Sequence, residues 1–292
     1  MPFFRMGDVE LHRHEPAGGG KDGTIVCVHP PCLTGRLFES VERELGNGLR
    51  TVRWDVRGHG RSSAGSARLT LAMIAEDMRH LLDDTGAKRA YVCAYGAGAP
   101  AALTALLLHP ERFAGAVLLS GSLPYADIRS RSKLQAAYVS SLLAPKGPIA
   151  FRAAWHEGRT RAEFEELRQE ASLGDPGKWR DYAAACLDGR LDRQIRQIKQ
   201  PVLLLYGAKD AAGADHAARL HRLLPNSELY GIIGAKGQLA TREPKTTAFV
   251  IRQWSDKQAH PEIADTHEER EQLLRELAEH GAKEPGRAGL VH

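Results

Sequence analysis

The residues that could do chemistry here are set around one that cannot. Ala90–Gly98 reads as a buried strand running into a tight turn before an alanine-rich helix. The middle residue of that turn, Gly96, has no side chain. Nucleophilic catalysis needs an oxygen or sulfur nucleophile, an imidazole to take its proton and an acid to orient the imidazole. Cys32, after His29-Pro30-Pro31, is a candidate thiol, but a reactive thiol needs a base or a positive neighbour. Cys93 lies inside a strand and reads as a core thiol. Ser62, Ser63 and Ser120 fall near strand ends, where hydroxyls satisfy backbone groups. No histidine occurs between His221 and His260.

The elements that must position these residues follow from apolar patterning. Thr24–His29, Leu49–Val56, Ala90–Ala94, Ala114–Ser120, Pro201–Tyr206 and Glu228–Ile233 read as strands, with Val9–His14 as a first, edge strand. Leu37–Leu45, Leu71–Leu82, Ala97–Leu108, Ala214–Leu224 and Thr246–Trp254 read as helices. Between about Leu123 and Ile198 no strand pattern occurs, and Leu134–Leu143, Arg161–Ala171 and Trp179–Leu187 look helical. Alternating strands and helices imply an α/β fold, a mostly parallel sheet with helices on both faces. The expected organisation is a core of 1–122 and 199–255, a helical lid of 123–198 over the strand C-termini, and a charged C-terminal helix and tail of 256–292. Thr266 and Glu269 form a capping box there, ahead of Leu273, Leu274 and Leu277.

The 292 residues are 42% hydrophobic and 26% charged, with a formal net charge of +4. Basic and acidic residues alternate along the polar segments, which argues against nucleic-acid binding. The longest apolar runs are far short of a membrane span. Met1–Glu10 lacks the apolar core of a secretory signal. Cys27, Cys32, Cys93 and Cys186 lack metal-ligand spacing. They read as reduced thiols of a cytoplasmic protein, with no metal and no cofactor expected.

Four phrases resemble the α/β-hydrolase family over roughly residues 8–255. They are His29-Pro30-Pro31, Asp55-Val56-Arg57-Gly58-His59-Gly60-Arg61-Ser62, Ala94–Ala99 followed by His109-Pro110-Glu111-Arg112, and Gly207–Asp210. The resemblance implies the α/β-hydrolase fold and places the nucleophile slot at Gly96 and the acid slot at Asp210. The histidine slot falls at Gln238 or Gly237, depending on register. The oxyanion donors would be the N–H of Ala97 and one from the His29 loop. Pro31 has no N–H, whereas Cys32 does. Tyr95 sits beside the turn, and His29 and His59 are structural hydrogen-bonders in such proteins. Gly96-Ala97-Gly98-Ala99 is also similar to the turn of the NDRG family, hydrolase-like proteins lacking a hydrolase triad. The expectation is a degenerate member: a pseudoenzyme binding a small apolar ligand or a protein partner, with no nucleic acid or membrane involved. The alternative is a hydrolase or lyase with a non-standard site such as Cys32 with Asp210. Trp155, His156, Trp179 and Tyr182 either line the pocket or pack the lid helices together.

Overall fold

Short hydrophobic strands separated by helices collapse into one parallel sheet, because each helix carries the chain back to the same end of the sheet before the next strand. The computed structural model describes residues 2–15, 20, 22–143 and 145–259. In chain order the elements begin with β1 (Phe3–Met6), β2 (Val9–His12), β3 (Thr24–Val28), α1 (Glu39–Leu45), β4 (Arg50–Arg53) and α2 (Leu71–Thr85). Then follow β5 (Ala90–Tyr95), α3 (Ala99–Leu108) and β6 (Phe113–Leu119). Four helices come next, α4 (Ile128–Leu143), α5 (Lys146–Glu157), α6 (Arg161–Ala171) and α7 (Pro176–Asp188). The chain returns to the sheet with β7 (Val202–Gly207), α8 (Ala211–Leu223), β8 (Ser227–Ile232), α9 (Leu239–Arg242) and α10 (Pro244–Ala259).

The main sheet has six parallel strands in the order β4-β3-β5-β6-β7-β8. The strand order reverses at β3, whose neighbours are β4 and β5. Ligands in such sheets bind at that reversal, beyond the strand C-termini. The loops that open there are His29–Cys32 and Tyr95–Gly98.

One expectation is corrected. Val9–His14 is not an edge strand of the main sheet. β2 pairs with β1, a strand the sequence reading missed, in a separate antiparallel hairpin. A bridge between Arg13 and Trp54 ties this segment to the end of β4. Four residues with one buried side chain give β1 too little period to read. A second omission is α5, whose glycine, proline and scattered aromatics blur its helical period.

Local chemistry fixes the helix that matters most. Ala99–Leu108 is buried along eight of its positions, and its small residues let it lie close on the sheet. At Gly98 a Cβ would stand 2.9 Å from the Val28 carbonyl oxygen, so the start of the helix crosses β3 at a distance only glycine permits. α2 packs beside it, and Ile74, Met78 and Leu81 of α2 are buried in the same core cluster. Burying each such side chain contributes about 1.5–3 kcal/mol. Thr70 caps α2 by accepting from the Met73 N–H at 3.2 Å, and Gly86 ends it in the left-handed conformation.

Residues 1–252 and 253–292 form two units. The structure describes 253–259 of the second, as the end of α10. The expected capping box at Thr266 and Glu269 lies outside the described residues. Among the described residues no helix is long and apolar enough to cross a membrane.

Candidate functional site

At the end of β5 the chain turns sharply. Gly96 has φ +54, followed by a short 3₁₀ turn, Gly96–Gly98, that leads into α3. A Cβ on Gly96 would meet nothing within 4 Å, so the space over the turn is open. Ala97 lies in the first turn of this helical segment, where amide N–H groups have no partner inside the helix. The turn forms the floor of a cleft of about 460 Å³.

The cleft draws on the sheet and on the four-helix segment. Tyr95, Gly96, Ala97, Ser120, Lys209 and Asp210 come from strand ends and the turns after them, and Pro30 from the loop after β3. Gly237 and Gln238 come from the loop after β8. Ser130, Lys133, Leu134, His156 and Glu157 come from α4 and α5, and His216 from α8. The expected acid slot, nucleophile slot and both histidine slots therefore share one cavity. A Cβ at Gly237 would stand 2.7 Å from Asp210 Oδ2, so position 237 is immediately beside the acid.

Three residues expected at the oxyanion site or pocket, Cys32, Pro31 and His29, do not line the cleft. Cys32 is not at the mouth of the cleft. It is buried among Ile149, Ala150, Ala171 and Trp179, and burial pushes its thiol pKa up to about 12. A thiol so raised is almost wholly protonated at neutral pH and is a poor nucleophile. Cys32 also holds φ +68, unusual for a residue with a side chain. Pro31 does not line the cleft either. The residue of that loop that does, Pro30, has no N–H, so this wall supplies no oxyanion donor there.

His29 is structural. Its Nε2 accepts from the Val56 N–H at 3.0 Å, so its Nδ1 carries the proton and donates to the Pro30 carbonyl at 2.9 Å. Burial lowers its pKa to about 4. His59, buried against Tyr182 and Trp179, is lowered to about 3 by burial and then by His29. Trp179 and Tyr182 thus pack the interior, whereas Trp155 is exposed and stacks on Phe151. An unfolded imidazole takes its proton near pH 6.5. Between that pH and about 3 the unfolded chain binds more protons than the folded one, so stability falls as pH falls through this window. One pKa unit is worth about 1.4 kcal/mol, so the two groups together should contribute several kcal/mol. Urea midpoints measured from pH 7 to pH 4 are expected to drop steadily; a flat profile would contradict buried, neutral imidazoles.

Asp55 anchors the same region. It accepts from His12 Nδ1 at 2.9 Å, His14 Nε2 at 2.8 Å, the Gly35 N–H at 3.0 Å and the Arg61 N–H at 3.2 Å. His12, His14 and Asp55 place three ligand-type atoms within 4.8 Å, a grouping that the sequence reading did not notice. Four donors already saturate the carboxylate, which makes it a structural hub.

Two histidines enter the cleft: His156, for which lining the pocket and packing the lid helices were both open, and His216, which the sequence reading did not single out. His216 Nε2 lies 2.7 Å from Ser130 Oγ and 2.8 Å from Asp127 Oδ2. In acyl transfer the nucleophile and the acid address opposite ring nitrogens. Here both meet the same one. An unprotonated Nε2 would set its lone pair against the carboxylate, so the proton stays there and the nitrogen cannot receive another from Ser130. His156 is arranged differently. Its Nδ1 is 2.9 Å from Glu157 Oε1, and its Nε2 is 3.2 Å from Gln238 Nε2. Glu157 is 4% exposed. It also accepts from the Tyr95 hydroxyl at 2.8 Å, and Thr241 Oγ1 lies 3.5 Å from its second oxygen. Burial and the neighbouring Glu157 carboxylate hold the Tyr95 hydroxyl well above its usual pKa, so it stays a donor. The hydrogen bond to Glu157 raises the pKa of His156.

The model of the alpha/beta hydrolase fold family matches residues 23–236. The chain belongs to the α/β-hydrolase fold family. Curated relatives include "Putative carbamate hydrolase RutD" of Caulobacter sp. (strain K31), 27% identical over 237 residues that cover 77% of this chain and 88% of that protein. Among solved structures, the enol-lactonase from Burkholderia xenovorans LB400 superposes with a TM-score of 0.73 at 18% identity, covering 86% of this chain and 98% of the enzyme. An esterase from Exiguobacterium antarcticum gives 0.74 at 16% identity, covering 85% and 96%. At such identities these structures speak for the fold. In this hydrolase-fold chain the turn after β5 carries Gly96, and the loop after β8 carries Gly237 and Gln238.

Proposed function

We propose that this hydrolase-fold protein binds a small ligand in the cleft over Gly96 and passes no acyl group through a covalent enzyme intermediate. For the family's chemistry it is a pseudoenzyme. The observation that carries this reading is the turn itself: its tip has φ +54, open space above it and no side chain. The other groups agree with it. Asp210 has glycine at the neighbouring position 237, Cys32 is buried and protonated, and Ser130 meets a nitrogen already shared with Asp127. Removing serine or histidine from such a triad costs about a million-fold in turnover.

The cavity holds a small molecule with an apolar body and one or two hydrogen-bonding groups. Pro30, Ala97, Pro124 and Leu134 give it carbon walls, and Ser120, Gln238 and the lysines give it polar contacts. The relatives' names speak of carbamates and lactones, and only their small size is carried over. Four free, buried cysteines fit a reducing, cytoplasmic setting. A protein partner is the second reading, favoured by the exposed stack of Phe151 and Trp155.

A panel of small chromogenic esters and lactones, combined with thermal shift, tests the first reading. Ester turnover by the route of an acyl-enzyme should be absent. A ligand present at 100 times its Kd should stabilise the fold by about 2.7 kcal/mol. An ester burst stoichiometric with protein would overturn the proposal.

A further inference from the structure

The cleft contains one imidazole set up as a catalytic base is, and it comes from α5 instead of the loop after β8. His156 Nδ1 is 2.9 Å from Glu157 Oε1. Glu157 is fixed from behind by the Tyr95 hydroxyl and is buried. Gln238, in one of the two slots where the family's histidine belongs, sets its amide nitrogen 3.2 Å from His156 Nε2 and 3.5 Å from Nδ1. It lies across the ring and off the Nε2 lone pair, so that lone pair is not spent on Gln238. His216, by contrast, spends one nitrogen on both of its neighbours.

A base without a nucleophile limits the chemistry. Gly96 offers no attacking atom, and Pro30 offers no second oxyanion donor. What remains is proton removal, with the Ala97 N–H available to a developing oxyanion. We propose that His156, held at Nδ1 by the buried Glu157, is a general base that takes a proton from the C–H beside a carbonyl in a small ligand seated over Gly96. The C–H bond breaks and its electron pair moves onto the carbonyl oxygen as an enolate. His156 Nε2 holds the proton and returns it to the same or a neighbouring carbon, so the net change is exchange or isomerisation and no co-reactant is consumed. This inference rests on the cleft being a small-molecule site that forms no acyl-enzyme.

The probe is 5-nitrobenzisoxazole, which needs only a positioned base. Loss of its ring C–H breaks the N–O bond, forms a nitrile and releases a coloured phenolate. Saturable turnover by the full chain is expected, with kcat/KM about 100-fold lower in His156→Gln, in line with the usual contribution of general-base catalysis. Glu157 raises the titration of His156, and partial burial, Lys133 and Arg242 lower it. In Glu157→Gln, checked for folding by circular dichroism, the midpoint of the pH–rate profile is expected to move down. Turnover that survives His156→Gln, no saturable turnover, or a midpoint unmoved in Glu157→Gln would each overturn the inference while leaving the ligand-binding reading in place. A covalent adduct on the chain after exposure to an ester would instead sink that reading.

Discussion

Gly96→Ser is expected to fold, to cost about 1–2 kcal/mol, and to remain inactive on its own. The cost is a backbone one, because the left-handed region is unfavourable by about that much for a residue with a Cβ. Crowding adds nothing, since a Cβ there meets no atom within 4 Å. The urea midpoint of this variant should therefore fall modestly, with an unchanged slope. A variant more stable than the parent would show that no strain is relieved by glycine. The larger effect comes on adding an imidazole. Position 237 stands beside Asp210, whose carboxylate must swing aside to receive it. Gly96→Ser with Gly237→His should gain ester turnover about 100-fold above either single variant, the lower end of what a positioned base supplies. Gln238→His in the same background is the control for register. It should give less, because the side chain of residue 238 meets His156, whereas position 237 is the one that abuts Asp210.

Arg57→Ala is expected to destabilise the fold by about 3–5 kcal/mol, the usual cost of stranding one partner of a buried ion pair. The guanidinium holds Asp77 through two bonds, Nε to Oδ2 at 2.7 Å and Nη2 to Oδ1 at 2.6 Å. Asp77 is fully buried on α2, and burial already raises its pKa. Removing the arginine leaves that carboxylate uncompensated. Arg57→Ala with Asp77→Ala should recover part of the loss, and the urea midpoints of the four proteins give the coupling. A loss below about 1 kcal/mol in Arg57→Ala, the range of an exposed pair, would mean that Asp77 is solvated or protonated. The site should feel this change too, since Val56, next in the chain, donates to His29 below the cleft.

Much of the fold was legible because its signals are local. Continuous apolar runs marked β3, β5, β6 and β7, and Arg161–Ala171 is a helix within the bounds its period suggests. Gly96 at the tip of the turn after β5 was legible as a glycine in a strand-to-helix turn, whereas the closeness of Gly98 to β3 was not, because it depends on how the helix crosses the strand. What the sequence hid depends on long-range packing. Cys32 follows a loop that opens on the cleft, but its own side chain turns into a cluster under α5 and α7, which no local pattern reveals. His156 and Glu157 were plain in the sequence as neighbours. Their pairing with Tyr95, 62 positions away from Glu157, depends on how α5 returns to the sheet. His216 joins Ser130 across 86 positions for the same reason. A useful signal did exist: two adjacent titratable residues, His156 and Glu157, in the segment expected to cover the site.

Intact-mass measurement after exposure to a fluorophosphonate probe tests the central claim most directly. A chain that offers no activated oxygen at residue 96 should show the unmodified mass alone. Gly96→Ser with Gly237→His, treated alongside, should gain one adduct, carried by the hydroxyl introduced at position 96. A stoichiometric adduct on the natural chain, mapped to Ser130, Ser120 or any other cleft residue, would contradict the account.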